Sequence, residues 1–553
     1  MSHRTDRWRG PLGVLALAAV PLAVLGVFFV LPVGGMLARG FWADGRFDPG
    51  AVLGVLGSGR VHRVLWFTLW SATLATAVTL LLGLPVTYVL SRLRFPGRRA
   101  LRAFVTLPFV LPTVVVGVAF RTLLASSGPL GALHLDGTAS AIVAALVFFN
   151  VAVVVRTVGA VWEGLDRRPE EAAAALGATP WQVLRTVTLP ALAPALVSAG
   201  SVVFLFCATS FGVVLTLGGL HYATVETEIY LLTTQFLDLR GAAALSVLQI
   251  AVVTVLLLVA QRTRAAREQS LDRVGARAGA RRVRRGDLPA VAVTVLVVLA
   301  MAAPVAALVA GSLRTGHGVG LDHYRALGTT GRNNALLVPV WDALVNSWRV
   351  AVDATLLAML LGVLVAVVVT RTARERRGRR ALGVLDGVFM LPLGVSAVTL
   401  GFGFLITLDR PPLDLRGSPW LVPVAQALVA LPLVVRTLAP VLRAIDPRQR
   451  QAAASLGAGP LRAVLAVDLP VVWRPLLAAT GIAFAVSLGE FGATSFLARP
   501  DRPTLPVVIF ALAGRPGADN FGMALAASVV LALVTVTVMG LVERLRVGSM
   551  GAF

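Results

Sequence analysis

Lysine is missing from this 553-residue chain: all 50 basic residues are arginine. A P-loop sets a lysine against nucleotide phosphates, so the chain carries no standard ATP-binding loop of its own. Cysteine is nearly missing as well. The single Cys207 excludes an intrachain disulfide and a cysteine-based metal cluster. Charge is scarce too, at 14% of residues against 57% hydrophobic, with a mean hydropathy of +0.83. That balance excludes an ordinary soluble globular domain. Histidines are few, and His62, His221, His317 and His323 fall in expected outer loops without ligand spacing, which argues against a metal site.

What is abundant is apolar sequence in long runs, each able to cross a hydrocarbon core of roughly 30 Å as a helix. The runs predict an all-α integral membrane protein with about 12 transmembrane helices. In the first half they fall near 11–38, 64–90, 102–125, 139–162, 191–217 and 241–260. In the second half they fall near 288–311, 347–370, 382–407, 419–442, 475–497 and 522–542. The third run is broken by Pro108 and Pro112, the ninth by Pro392. The first is longer than a signal-peptide core and reads as a retained helix.

A net charge of +23 would suggest nucleic acid in a soluble protein. Here the arginines gather at alternate loops: Arg4, Arg7 and Arg9; Arg92 to Arg102; Arg262 to Arg285; and Arg371 to Arg380. The loops between them are poorer in arginine and hold acids such as Glu226, Glu228 and Asp238. This positive-inside pattern places both termini in the cytoplasm and assigns the charge to orientation, with no nucleic-acid partner.

The chain repeats itself. "VRTVGAVWEGLDRRPEEAAAALGATPWQVLRTVTLP" at 155–190 aligns without gaps to "VRTLAPVLRAIDPRQRQAAASLGAGPLRAVLAVDLP" at 435–470, with 16 of 36 positions identical. The same offset carries on to Phe211-Gly212 and Phe491-Gly492. Upstream, with small gaps, "LPFVLPTVVVGVAF" at 107–120 matches "LPLGVSAVTLGFGF" at 391–404. The chain is therefore expected to be two tandem six-helix halves in the same orientation, joined by an arginine-rich segment.

Each repeated loop spells a short helix, a bend and a second helix. Asp446 is placed to cap a helix beginning at Pro447, with Gln449 at the capping-box position. The alanines continue it, and Gly457 is placed to end it in a left-handed conformation. Thr179-Pro180 with Gln182, and Gly459-Pro460, start the second helices, which Pro190 and Pro470 are expected to stop. Read without a partner, these are two interfacial helices resting on their own bundle.

The motif Glu-Ala-Ala, then Gly, then Leu-Pro resembles the cytoplasmic loop of permease subunits in binding-protein-dependent ABC importers of type I. The matching residues are Glu171, Ala172, Ala173, Gly177, Leu189 and Pro190, and then Gln451, Ala452, Ala453, Gly457, Leu469 and Pro470. Gln451 departs from the usual acid, which would make the two loops unequal. The resemblance implies that each loop seats in a groove of an ATP-binding subunit. It implies two ATP-binding cassette subunits that bind ATP and magnesium, so this chain holds no cofactor. It also implies an extracytoplasmic solute-binding protein, with 218–240 and 498–521 as its candidate docking surfaces, and a multi-pass location in the inner membrane. Pro500, Pro503 and Pro506 suggest that 503–513 lies at the membrane interface.

The implied layout is a first helix and outer loop over 1–59, a first type-1 transmembrane module over 60–262, and a basic linker over 263–287. A seventh helix with its outer loop follows over 288–342, then a second module over 343–545. "FFN" at 148–150, "TLGG" at 216–219, "GEFGATSF" at 489–496 and "RPTLPVVIF" at 502–510 resemble the fused thiamine and ferric-iron permeases, thiamine slightly more. A phosphonate or another small solute stays open.

Ionisable groups inside a membrane are costly and point to function. Glu490, in the eleventh run, is one candidate for the substrate pathway, as a carboxylate facing a cavity or as an interhelical hydrogen-bond acceptor. Ser210, its counterpart, and Asn150, a candidate link between helices, complete the set. Asp353 is expected to pair with Arg349 one turn earlier. The rival reading is an ion-coupled secondary transporter, for which Glu490 and Asp353 are thin material. No histidine sits at the depth of Ser210 or Ser487, so neither reads as a nucleophile and no enzyme activity is expected.

Overall fold

The computed structural model describes residues 11–43, 46–219, 221–268, 281–316, 318–370, 385, 387–389, 395–409 and 413–547. Arg4, Arg7, Arg9, Arg273, Arg277, Arg371 to Arg380, His317 and Pro392 lie outside these residues.

In lipid every backbone N–H and C=O needs a partner within the protein, and helices supply it locally. The first half runs α1 (Pro11–Leu25), α2 (Leu31–Phe41), α3 (Gly59–Arg92), α4 (Thr113–Leu124), α5 (Ala139–Gly164), α6 (Arg168–Ala175), α7 (Pro180–Val183), α8 (Leu189–Ala208), α9 (Val225–Thr234) and α10 (Leu239–Glu268). The second runs α11 (Leu288–Leu313), α12 (Val340–Val369), α13 (Ala397–Thr407), α14 (Leu421–Ala444), α15 (Pro447–Ser455), α16 (Pro460–Ala463), α17 (Leu469–Leu488), α18 (Leu505–Gly514) and α19 (Ala518–Val547). Among the described residues strands occur only as two-residue pairs; one joins Leu93–Arg94 in parallel to Arg281–Arg282, beside α3.

Among the described residues ten helices are long and apolar enough to span, or eleven if a bent pair counts as one. The expected third span is that pair: Arg98–Phe109 and Thr113–Leu124 meet at 102°. Pro112 has no N–H to continue a helical ladder, and a 3₁₀ turn over Leu107–Phe109 precedes it. The ninth is seen only as the short α13, because 390–394 lie outside the described residues.

The fifth and eleventh spans differ most from expectation. Each begins early, at Pro180 and Val464, and ends early, at Ala208 and Leu488. Pro190 and Pro470 therefore do not stop helices. A π-helical turn precedes each one (Leu184–Thr188 and Val464–Asp468), and the prolines fall in the first turn of α8 and α17. Widening the turn before a proline accommodates the ring and its missing N–H without ending the helix.

Hydrophobic burial gives little drive between helices in lipid, so close approach and small residues hold them together. A Cβ on Gly83 of α3 would lie 2.9 Å from Val154 Cγ1 of α5. A Cβ on Gly362 of α12 would lie 2.5 Å from Val434 Cγ1 of α14. These are the same crossing in the two copies.

The halves are not separate bodies. α1 packs on α12 and α2 on α13, both in the second half, while α11 packs on α3 and α4 of the first. Ala18, Leu25 and Phe29 accordingly lie in the second half's core, and Val297, Met301 and Ala307 in the first's. Each half lends its first helix to the other.

Candidate functional site

The two loops repeat almost bond for bond. Asp166 Oδ1 accepts from Arg168 N at 3.1 Å, and Asp446 Oδ1 from Arg448 N at 2.9 Å. At the far end Ala178 N donates to Ala173 O and Ala458 N to Ala453 O, at 3.1 and 3.0 Å. This six-to-one bond requires a left-handed residue just before it. Gly177 and Gly457 supply it, at φ of +86° and +82°. The next helix starts on a capping box in the first copy, where Thr179 N donates to Gln182 Oε1 at 2.7 Å.

The bend thrusts one side chain outward in each loop. Leu176 is 90% exposed and Leu456 89%, with Trp181 65% exposed beside the first. Glu171, Ala172, Gln451 and Ala452 are exposed with them, and Ala173 and Ala453 half so. The first loop is tied to its bundle through Glu170, which accepts from Arg92 at 3.2 Å and from Thr188 Oγ1 at 2.9 Å.

A second feature is the seam where the copies meet. Phe211 stacks on its own counterpart Phe491, at 5.3 Å and 26° between planes. Phe211 also meets Tyr230, and Phe491 meets Phe510, each pair at 5.4 Å. α9 and α18, which carry Tyr230 and Phe510, are held alike at their N-termini. Val225 N donates to Thr68 Oγ1 at 3.1 Å, and Leu505 N to Ser347 Oγ at 2.6 Å.

The acidic groups at the seam are not duplicated. Glu226, fully buried on α9, accepts from Gln249 Nε2 and, at 2.8 Å, from Ser396 Oγ at the cap of α13. Glu228 is buried two residues on and paired with Arg60 at 2.5 Å. Glu490 lies beyond the end of α17, where its carboxylate accepts from Ala493 N at 2.7 Å, Thr494 N at 3.0 Å and the Thr494 hydroxyl. Near Phe496 a cavity of about 200 Å³ is lined by Phe404, Asp409, Arg416 and Arg499.

Residues 79–268 and 358–546 both match the family of binding-protein-dependent transport system inner membrane components. The chain belongs to this family. The permease is 27% identical to the thiamine transport system permease protein of Brucella abortus (strain 2308), over 98% of this chain and 96% of that one. It is 27% identical to the protein of that name from Escherichia coli (strain K12), over 81% and 82%. A putative 2-aminoethylphosphonate transport system permease protein of Salmonella typhimurium is 32% identical, over 38% of this chain and 77% of that one. The permease is thus a fused double-module ABC importer subunit, a multi-pass inner-membrane transport component and not an enzyme.

Against that frame, Glu171, Ala172, Ala173, Gly177 and their partners in the second copy stand together at two exposed tips. Leu189, Pro190, Leu469 and Pro470 lie behind the π turns, in the stems of α8 and α17. Glu490 lies past Leu488, where the helix expected to carry it stops, and its carboxylate accepts from the N–H groups of Ala493 and Thr494 in the turn that follows. Ser210 is buried beside that break's counterpart, and its carbonyl accepts from Thr224 Oγ1 at 3.2 Å. Asn150 Nδ2 bonds Leu146 O on its own helix at 2.9 Å and reaches Cys207 Sγ on α8 at 3.4 Å. Asp353 and Arg349 form no ion pair within 4 Å, and Arg349 is exposed.

Sequence reasoning misplaced Glu226 and Glu228 in an outer loop. The stretches 218–240 and 498–521 each fold a ten-residue helix into the seam, and only parts such as 234–238, 499–502 and 514–519 stay exposed. Leu176 and Leu456 were also missed. Their signal was present, a leucine before the glycine in both copies, where a cytoplasmic loop has no need of one.

Proposed function

We propose that this permease moves thiamine inward, received from an extracytoplasmic binding protein and driven by two ATP-binding subunits docked on the two loops. The observation that carries the docking is the pair of exposed leucines, Leu176 and Leu456, each held on a glycine bend at the cytoplasmic ends of α8 and α17. A lone exposed leucine is ordinary, but the same leucine thrust out at the same bend in both copies, with Trp181 beside the first, marks a repeated contact surface. Glu171, Ala172 and Ala173, with Gln451, Ala452 and Ala453, form the small-residue face that lets a partner approach; Gly177 and Gly457 set the angle. Leu189-Pro190 and Leu469-Pro470 form the stiff stems that carry motion into the spans.

The solute rests on the Brucella abortus relative, matched over 98% of this chain, and the Escherichia coli relative, matched over 81%, both named as thiamine permeases. Closure of the ATP-binding subunits would draw the loops together and change which side of the seam opens. The exposed segments 234–238, 499–502 and 514–519 are the surfaces on which the binding protein sits. The layout of two type-1 modules over 60–262 and 343–545, joined by the linker 263–287, belongs to the same proposal.

The test is ATP hydrolysis by the assembled complex in proteoliposomes, with binding protein loaded with thiamine or with iron(III) added outside. Stimulation by the thiamine-loaded protein alone supports the reading. Stimulation by the iron-loaded protein overturns the solute, and uptake driven by an ion gradient without ATP overturns the importer mechanism.

A further inference from the structure

Building on the thiamine reading, we propose that Glu226 and the aromatic side chains around it form a transient site for an organic cation within the membrane, engaged as the halves separate. Thiamine suits it chemically, with a permanently positive thiazolium and a second flat ring.

Three observations converge. Glu226 is fully buried, and among the described residues no arginine or histidine lies within 4 Å of it. Its two partners, Gln249 and Ser396, are neutral. The other buried carboxylates of the seam are already compensated, Glu228 by Arg60 and Glu490 by two backbone N–H groups. A carboxylate in hydrocarbon without a cation is costly, and a cationic solute would repay that cost during its passage.

Next to it stands a ring cluster. Tyr230, one turn along α9 from Glu226, meets Phe211 and Phe496, each at 5.4 Å. Phe402 lies 6.5 Å from Phe496, on the helix whose cap, Ser396, donates to Glu226. Aromatic faces attract organic cations most strongly where water is excluded. Phe496 is also a wall of the outer cavity, so open volume reaches the cluster from one side. Arg499, at the cavity's rim, is occupied by Asp501 at 3.0 Å.

Finally, the fold does not need the acid. The second copy builds the corresponding helix α18 with Pro506 in the place of Glu226, and the first copy has Pro112 in the place of Ser396. An acid and a hydroxyl present once, and joined across the two halves, fit a solute better than they fit architecture.

The complex of permease, ATP-binding subunits and thiamine-loaded binding protein would be reconstituted, and ATP hydrolysis and thiamine uptake measured together. Glu226→Gln keeps the shape and hydrogen-bond capacity but removes the charge. Uptake should fall roughly tenfold or more, the size of one lost cation contact. Stimulated ATP hydrolysis should persist, and Glu226→Asp should recover part of the uptake. Wild-type uptake in Glu226→Gln overturns the inference alone. So does joint loss of hydrolysis and uptake, the mark of a structural role, with thermal unfolding of the detergent-solubilised variant reporting any loss of fold. If the unaltered complex moves no thiamine, the solute reading fails first and this site falls with it.

Discussion

The cytoplasmic loops of the two halves agree in the aspartates that start their first helices, their left-handed glycines and their exposed leucines, while the two sides of the seam share rings but not charges. Glu226 and Glu228 face Pro506 and Val508 across the repeat, and Ser210 faces Glu490. The comparison separates two demands on a duplicated chain. On the proposed function, two like partners pushing at once would require the same lever twice, and a solute passing along one path would need its chemistry supplied only once.

The largest expected effect comes from breaking both levers. Gly177→Val with Gly457→Val forces a β-branched residue into left-handed backbone at a cost of about 1–2 kcal/mol per loop. Uptake should vanish while the protein remains in the membrane, as immunoblotting of membranes would show. If uptake survives, the loops are not levers. Equal losses in the two single variants would sharpen the equivalence of the halves, and unequal ones would break it.

Next come the tips. Leu176→Asp and Leu456→Asp should each weaken binding of an ATP-binding subunit by about 2–3 kcal/mol, as expected for losing one buried leucine anchor. Titration of the solubilised permease with that subunit would read it, and unchanged affinity would remove these leucines from the interface. Smaller still is the unequal pair at the break. Glu490→Ala should lower stability by about 1–2 kcal/mol through the lost cap, whereas Ser210→Ala should stay within about 0.5 kcal/mol. Thermal unfolding in detergent would compare them, and equal shifts would contradict the capping role. The smallest effect concerns Gln451, which stands where the first loop has Glu171. Gln451→Glu restores the acid, and its gain in partner affinity should stay within about 1 kcal/mol and disappear at high salt. A gain independent of salt would mean that the position is buried on docking.

How much could be read in advance follows from how far apart the interacting groups lie. Each cytoplasmic loop closes its hydrogen bonds within a few residues, so Asp446, Gly457 and Thr179-Pro180 announced their roles in the bare chain. Spans were visible as apolar runs, but their ends were not. An apolar run continues through the break after Leu488, and only the backbone bonds of Ala493 and Thr494 to Glu490 show that the helix has stopped. Pro190 and Pro470 misled for a related reason, since a proline reads as a stop unless a π turn makes room for it.

The sequence alone determined the class and the count of modules. Long apolar runs in lipid have few options besides helix, because the backbone must satisfy itself. The gap-free repeat with its two Ala-rich loops determined that the chain is a doubled permease. Tertiary structure decided what joins the copies. The exchange of α1 and α11 between halves, the stacking of Phe211 on Phe491, and the bond from Ser396 to Glu226 all pair groups more than a hundred residues apart. Such pairings depend on helix ends and crossing points, to which a hydrophobic pattern is blind.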